Sequence, residues 1–267
     1  MTESNVTRTH SSSCDLAGTV PHGFVTVSIQ TYYSIQHVQA AALFTRNIRS
    51  LESNLKGAPW SEEDRVAGLA YVAAALFSAV AFLEALASEL YADAMVPHAG
   101  HLKHLSAGAI AAVAAAAENK QLQRSPITAK FDALLLAAGR DRLDKGATIC
   151  QDVELVIDLR NELTHYKAAF FDMGTTGMNR MGAFVDGKLK RAISRKFLPR
   201  DDSTSQANSW MGAGCCQWAT KAVVAYAEAV SSALGMRPLH DHVRKALSLE
   251  ENSGDVSGDL SSLTLDK

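Results

Sequence analysis

Apolar residues recur at spacings of three and four along most of this chain, and that periodicity predicts α-helices. Only residues 24–30 alternate apolar and polar side chains with the two-residue period of a strand. The pattern therefore predicts an all-α, up-and-down helical bundle. Its helices are expected at 34–55, from 61 to beyond 89, and at 106–118, 127–138, 147–166, 213–233 and 237–247.

The second predicted helix contains the longest apolar run of the chain. Ser61 has the side chain of a helix N-cap, and Asp64 follows at the spacing of a capping box. The 18 residues from Val66 to Leu83 carry no charge, which is the lower limit for a membrane span. The run is rich in alanine, however, and charged residues continue the same helix at both ends. We expect a buried central helix, with Glu84 and Glu89 on its polar side, and no membrane insertion.

Polar segments divide the chain into a helical domain and two tails. Residues 1–23 are rich in Ser and Thr, and residues 248–267 are rich in Ser and acidic side chains, so we expect both to be disordered. The helical domain is expected over 24–247. Within it, residues 172–213 lack helical periodicity and predict an irregular insertion, and long loops of this kind are often functional or mobile.

Composition limits the classes of function. The net charge is −2, so any nucleic-acid site has to be local rather than a property of the whole surface. The 4 cysteines form no Cys-x-x-Cys motif, which favours free thiols in a reducing compartment. The first residues lack a basic region followed by an apolar run, so we expect a cytoplasmic protein without a secretory signal.

A basic segment lies inside the predicted insertion. Residues 180–200 carry a net charge of +6, and their candidate substrate-binding side chains are Lys188, Lys190, Arg191, Arg195 and Lys196. One interpretation is a solvated surface loop. The other is a patch that faces the phosphates of a nucleic acid and lies next to the end of the 147–166 helix in sequence.

The end of the 147–166 helix carries the clearest chemical motif. Arg160 is followed by Asn161 and, after three more residues, by His165, and Lys167 lies just beyond. This arrangement resembles the motif of the HEPN family, helical domains found in many prokaryotic ribonucleases and toxins. The resemblance implies a metal-independent endoribonuclease site without a cofactor, built at a homodimer interface from one motif of each subunit.

The residue types suit that reaction. RNA cleavage without metal uses the 2′-hydroxyl as nucleophile and needs a base, an acid and positive charge on the phosphorane. Histidine serves the first two roles near neutral pH, and arginine provides fixed charge with forked donors. Asn161, one turn before His165, is expected to orient its ring by a hydrogen bond. Lys167 is a candidate contact for the RNA.

Two further hypotheses remain open. The domain is alternatively a catalytically silent HEPN-like module for dimerisation or RNA binding, since a fold does not fix a function. His98, His101 and His104 recur at a spacing of three and form a weaker candidate for a metal site, although no metal is expected. The resemblance also implies a toxin or defence ribonuclease, with a protein partner that neutralises or activates it.

Overall fold

The computed structural model describes residues 31–165 apart from 57 and 97, residues 195–197, and residues 210–249. Every residue in a regular element of these ranges is helical, so the predicted all-α bundle is confirmed. The α-helices are α1 (Ser34–Asn54), α2 (Glu62–Ala94), α3 (Ala107–Ala117), α4 (Lys120–Gln123), α5 (Ile127–Ala137), α6 (Thr148–Thr164) and α7 (Ala213–Leu234). Within the same ranges, 3-10 helices span Gly100–Leu102 and Asp241–Leu247.

All of these helices belong to the unit Tyr33–Lys267, which the structure separates from Met1–Tyr32. The predicted start of the helical domain at residue 24 lies outside the described residues. The predicted strand at 24–30 and the two predicted disordered tails lie outside the described residues, except for Ser248 and Leu249.

Helix α2 is the central helix of the bundle, as predicted. It packs against α1, α3, α5, α6 and α7 and buries large side chains that include Leu76, Phe82 and Leu83. The N-terminus of α2 has the capping box that the sequence predicted. The Ser61 hydroxyl accepts the Asp64 N–H at 3.1 Å, and the Asp64 carboxylate accepts the Ser61 N–H at 3.1 Å.

One face of α2 remains apolar and exposed. Within the described part of the chain, α2 alone has the length and composition of a helix that crosses a membrane, and 44% of its most apolar window is buried. Val66 and Phe77 project from the uncovered side. The helix therefore buries its core face within the bundle and presents a second apolar surface outward.

Glu89 corrects the expectation that the acidic residues of α2 all lie on its polar side. Its carboxylate is buried and accepts the Ser34 N–H at 2.8 Å and the Ser34 hydroxyl at 2.5 Å. Tyr33 supplies no side-chain cap for α1. The carboxylate from α2 therefore satisfies a terminal N–H of α1 and adds negative charge where the helix dipole favours it.

The residues directly before α7 and those after the last 3-10 helix are more deeply buried than the sequence indicated. Trp210 and Met211, at the end of the predicted insertion, are buried directly before α7. After the 3-10 helix Asp241–Leu247, Leu249 is buried as well, and Arg46 donates to the carbonyl oxygen of Ser248 at 3.0 Å. The folded region therefore extends beyond residue 247.

The described cysteines are free and buried, as the sequence predicted. Cys150, Cys215 and Cys216 form no disulfide. Burial raises the pKa of Cys215 and of Cys216, so both thiols stay protonated and unreactive at neutral pH. They act as small apolar side chains in the first turn of α7.

His240 is a buried histidine between α2, α7 and the last 3-10 helix. Its ring meets Phe82 edge to face at 5.7 Å between centroids, and its Nε2 lies 3.5 Å from Oε1 of Glu228. Arg244 shares that carboxylate at 2.7 Å, and Asp241 lies beside Arg244. Burial lowers the pKa of His240, and the nearby Glu228 carboxylate only partly opposes this effect.

This lowered pKa predicts a loss of stability on acidification. Below pH ~6.5 an unfolded histidine binds a proton, whereas the buried ring stays neutral, so the unfolded state binds more protons and stability falls as pH falls. His240→Gln should flatten that part of the profile, measured as urea unfolding midpoints between pH 7.5 and 5.5. An equally steep fall in the variant would assign the acid sensitivity to other groups.

Candidate functional site

The HEPN-like motif lies at the C-terminal end of α6. Arg160 and Asn161 belong to the last helical turn, and His165 is the C-cap residue, with φ −113° and ψ 36°. The helix therefore ends at Thr164, two residues before the predicted end. The His165 N–H donates to the Asn161 carbonyl at 2.8 Å, which closes the helix, and the His165 side chain is exposed.

The sequence correctly predicted which face of α6 is buried. Val153, Val156 and Leu159 are fully buried, and Leu163 is partly buried against the same core. Because these residues fix the rotation of α6, the polar residues of the motif turn away from the core. Thr164 also donates its hydroxyl to the Arg160 carbonyl at 2.9 Å, so it adds no free donor at the site.

Arg160 is held by a residue that the sequence analysis did not assign to the site. Its Nη2 donates to Oε1 of Glu84 on α2 at 3.0 Å, and the Arg160 side chain is only 25% exposed. Its Nε is buried and finds no acceptor among the described residues. The guanidinium is therefore fixed on the central helix while part of its donor capacity remains for a ligand. The only sequence signal for Glu84 was a charge directly after the apolar run.

Asn161 and His165 share the same end of α6 but not the predicted side-chain contact. Within the described part of the chain, the Asn161 amide makes no hydrogen bond to the imidazole ring. The reason is the C-cap geometry, because His165 leaves helical backbone angles and its ring no longer follows the i to i+4 row. The arrangement offers an exposed imidazole, a polar amide and an anchored guanidinium at one helix end.

The described basic residues lie at the other end of α6. Lys196 pairs with Asp152 at 2.6 Å, and residues 152 and 165 are 13 positions apart on and beside α6, or about 20 Å at 1.5 Å per residue. Arg195 is exposed next to Lys196. Arg195 and Lys196 therefore lie near the start of α6, about one helix length from the motif that they follow in sequence. The other four candidates, Lys167, Lys188, Lys190 and Arg191, lie outside the described residues.

The histidine-rich loop before α3 does not form the converging site that the spacing suggested. His101 Nδ1 lies 2.8 Å from Oδ2 of buried Asp93, whereas His98 Nδ1 accepts the Gly100 N–H at 3.1 Å. Both ring nitrogens of His104 face carbonyl oxygens, one of them that of Leu234 at 2.9 Å. Among the described residues no three His, Cys, Asp or Glu side chains are placed to share a metal ion.

No protein-family model, curated protein or solved structure matches this chain. The HEPN resemblance therefore depends on the motif residues and on the all-helical setting in which they lie.

Proposed function

We propose that this protein is a metal-independent endoribonuclease of HEPN type, acting in the cytoplasm as a toxin or defence ribonuclease. One observation carries the proposal. The last turn of α6 carries an arginine, Arg160, that Glu84 anchors to the central helix, and the same helix ends at an exposed histidine, His165. Catalysis by electrostatic stabilisation needs such a fixed cation, since an oriented charge requires little reorganisation during the reaction.

The proposed reaction follows from these groups. One imidazole removes the proton of the 2′-hydroxyl, whose oxygen attacks the adjacent phosphorus. A second imidazole protonates the departing 5′-oxygen, so the products are a 2′,3′-cyclic phosphate and a 5′-hydroxyl. Arg160 stabilises the charge of the phosphorane, and Asn161 donates to a substrate oxygen. No cofactor takes part in this scheme.

The scheme needs two histidines, so we expect a homodimer that brings two motifs together near its two-fold axis. The exposed apolar face of α2 supports this expectation, because that helix also carries Glu84, the anchor of Arg160. Sedimentation at micromolar concentration should show a dimer. Phe77→Glu, a change at a side chain 41% exposed, should yield monomers.

Leu136→Glu on α5 is the matched control for that experiment, because Leu136 is similarly exposed and lies on another helix. The control should remain dimeric. A monomeric wild type would contradict the composite site, and a Phe77→Glu dimer would move the interface to another surface.

The direct test is incubation of the full chain with total RNA in EDTA, with the RNA ends analysed chemically. The proposal expects cleavage that metal removal leaves unchanged, with 2′,3′-cyclic phosphate ends. Cleavage that stops in EDTA would contradict it, because the described site would then not supply the chemistry.

A second candidate is the catalytically silent module that dimerises or holds RNA. The ion pair between Arg160 and Glu84 favours it, because a half-buried pair also serves to dock α6 on α2 without any substrate. This candidate is supported if the wild type binds RNA but cleaves none, with or without metal ions. A protein partner that activates or neutralises the enzyme is then sought by repeating the assay in a lysate.

The basic segment should contribute to RNA binding if the patch interpretation is correct. Each phosphate contact releases counterions, so the double change Arg191→Ala and Arg195→Ala should reduce the slope of log binding constant against log salt by roughly two. The matched control is Arg124→Ala with Arg142→Ala, which removes the same charge from exposed positions elsewhere. An unchanged slope in the first variant would indicate a solvated loop.

A further inference from the structure

A groove lies between the start of α6 and the first half of α7. It has a volume of about 690 Å³, within the range of small-molecule sites. Thr148 and Asp152 line its α6 side, Trp218 and Lys221 line its α7 side, and Lys196 and Phe197 border it from the basic segment. None of these residues belongs to the proposed catalytic site, about 20 Å away along α6.

Two aromatic rings form one wall of the groove. Phe197 and Trp218 lie 5.6 Å apart between ring centroids, with an angle of 38° between their planes. Aromatic side chains bury a large apolar area and stack against other flat rings in offset or edge-to-face arrangements. A planar aromatic group is therefore the kind of ligand that this side of the groove fits.

The groove also carries positive charge. Lys221 is exposed and forms no ion pair within the described ranges, and Lys196 is held at the rim by Asp152 at 2.6 Å. Helix α6 begins without a side-chain cap, and its first two residues, Thr148 and Ile149, line the groove. The unsatisfied N–H groups and the dipole of this 17-residue helix add to the attraction for an anion.

We propose that this groove binds a nucleotide, with the base against Phe197 and Trp218 and the phosphate between Lys221 and the start of α6. The ring wall alone would accept any flat apolar molecule, and the cationic side alone would accept any anion. Only their combination within one groove selects a base joined to a phosphate. The source is a free nucleotide or a nucleotide within an RNA strand. The inference rests on the groove and not on the proposed ribonuclease activity.

The test measures binding without cleavage. Fluorescence anisotropy measures how tightly the protein binds a labelled 2′-O-methyl oligouridylate of ten nucleotides in EDTA. Unlabelled UMP and AMP serve as competitors. Lys221→Glu and Phe197→Ala should each weaken binding about tenfold or more, since stacking and phosphate contacts contribute separately. Competition by mononucleotides at micromolar concentration identifies a free nucleotide as the ligand, and binding of the oligomer alone identifies a strand.

Lys120→Glu on α4 is the matched control, because it reverses an exposed lysine that does not line the groove, on a helix that packs against α3 and α5, and it should leave binding unchanged. Lys221 is itself exposed, so its replacement does not threaten folding. Wild-type affinity in both groove variants, or the absence of binding by the wild type, overturns the proposal. The measurement is binding and not cleavage, so a failure of the ribonuclease proposal and a failure of this one give different results.

Discussion

His165→Ala should reduce metal-independent RNA cleavage to background without unfolding the protein. A general acid or base contributes on the order of 10²–10⁴-fold to rate, and in a dimer the substitution removes both copies at once. The side chain is exposed and the His165 backbone alone closes α6, so alanine keeps the hydrogen bond to Asn161. We expect a change in unfolding free energy within about 0.5 kcal/mol.

His242→Ala is the matched control, because it removes another exposed histidine from a different element. It should cleave RNA like the wild type. Arg160→Ala should lose activity as His165→Ala does, because the phosphorane then lacks its fixed cation. Glu84→Gln keeps a hydrogen-bond acceptor for Arg160 and should retain more activity than Glu84→Ala.

Two results would contradict the catalytic role of His165. Retained cleavage by His165→Ala would show that the imidazole does not act in the reaction. Melting of the fold by the same substitution would identify His165 as a structural residue, and circular dichroism read beside each activity assay separates the two outcomes.

Among alanine substitutions at the described glycines, Gly100→Ala should cause the largest loss of stability, about 3–5 kcal/mol. Gly100 has φ +45°, where an L side chain is strained, and its added Cβ would lie 2.2 Å from Oδ1 of Asp93. Asp93 is fully buried and holds both the backbone N–H and the ring of His101, so it has no space into which to move. Urea unfolding measures the effect.

Two other glycines separate the causes of that loss. Gly139 also has positive φ, at +71°, but nothing lies within 4 Å of its added Cβ, so Gly139→Ala should cost only about 1 kcal/mol. Gly108 lies inside α3 with open space around it, and Gly108→Ala should stabilise the protein by up to about 1 kcal/mol. Equal losses at Gly100 and Gly139 would show that backbone strain, not the contact with Asp93, dominates.

The helical periodicity was sufficient to predict most of the fold because it is a local property. Ser61 and Asp64 marked the start of α2, and the spacing of Val153, Val156 and Leu159 marked the buried face of α6.

 The boundaries of α1, α3, α5 and α7 came within one residue of those predicted from spacing and caps.

The polar contacts between elements were not predictable in the same way. Glu84, Glu89 and Asp93 each bind a group far away in sequence or across a loop, and no local pattern encodes such a partner. Glu89 was expected on the polar side of α2. It instead accepts a hydrogen bond from Ser34, 55 positions away in sequence, because packing brings α1 against α2. The ion pair of Lys196 with Asp152 is a contact of the same kind, between residues far apart in sequence.

The same three acids have a consequence for how uniquely this bundle is folded. A core rich in alanine offers few distinctive shapes, so neighbouring helices could slide along α2 by a turn of about 5.4 Å with little change in buried area. Glu84, Glu89 and Asp93 each accept donors from a different element, α6, α1 and the loop before α3. A slip of any neighbour would leave a carboxylate without its partner, so these acids select one alignment among many of similar compactness.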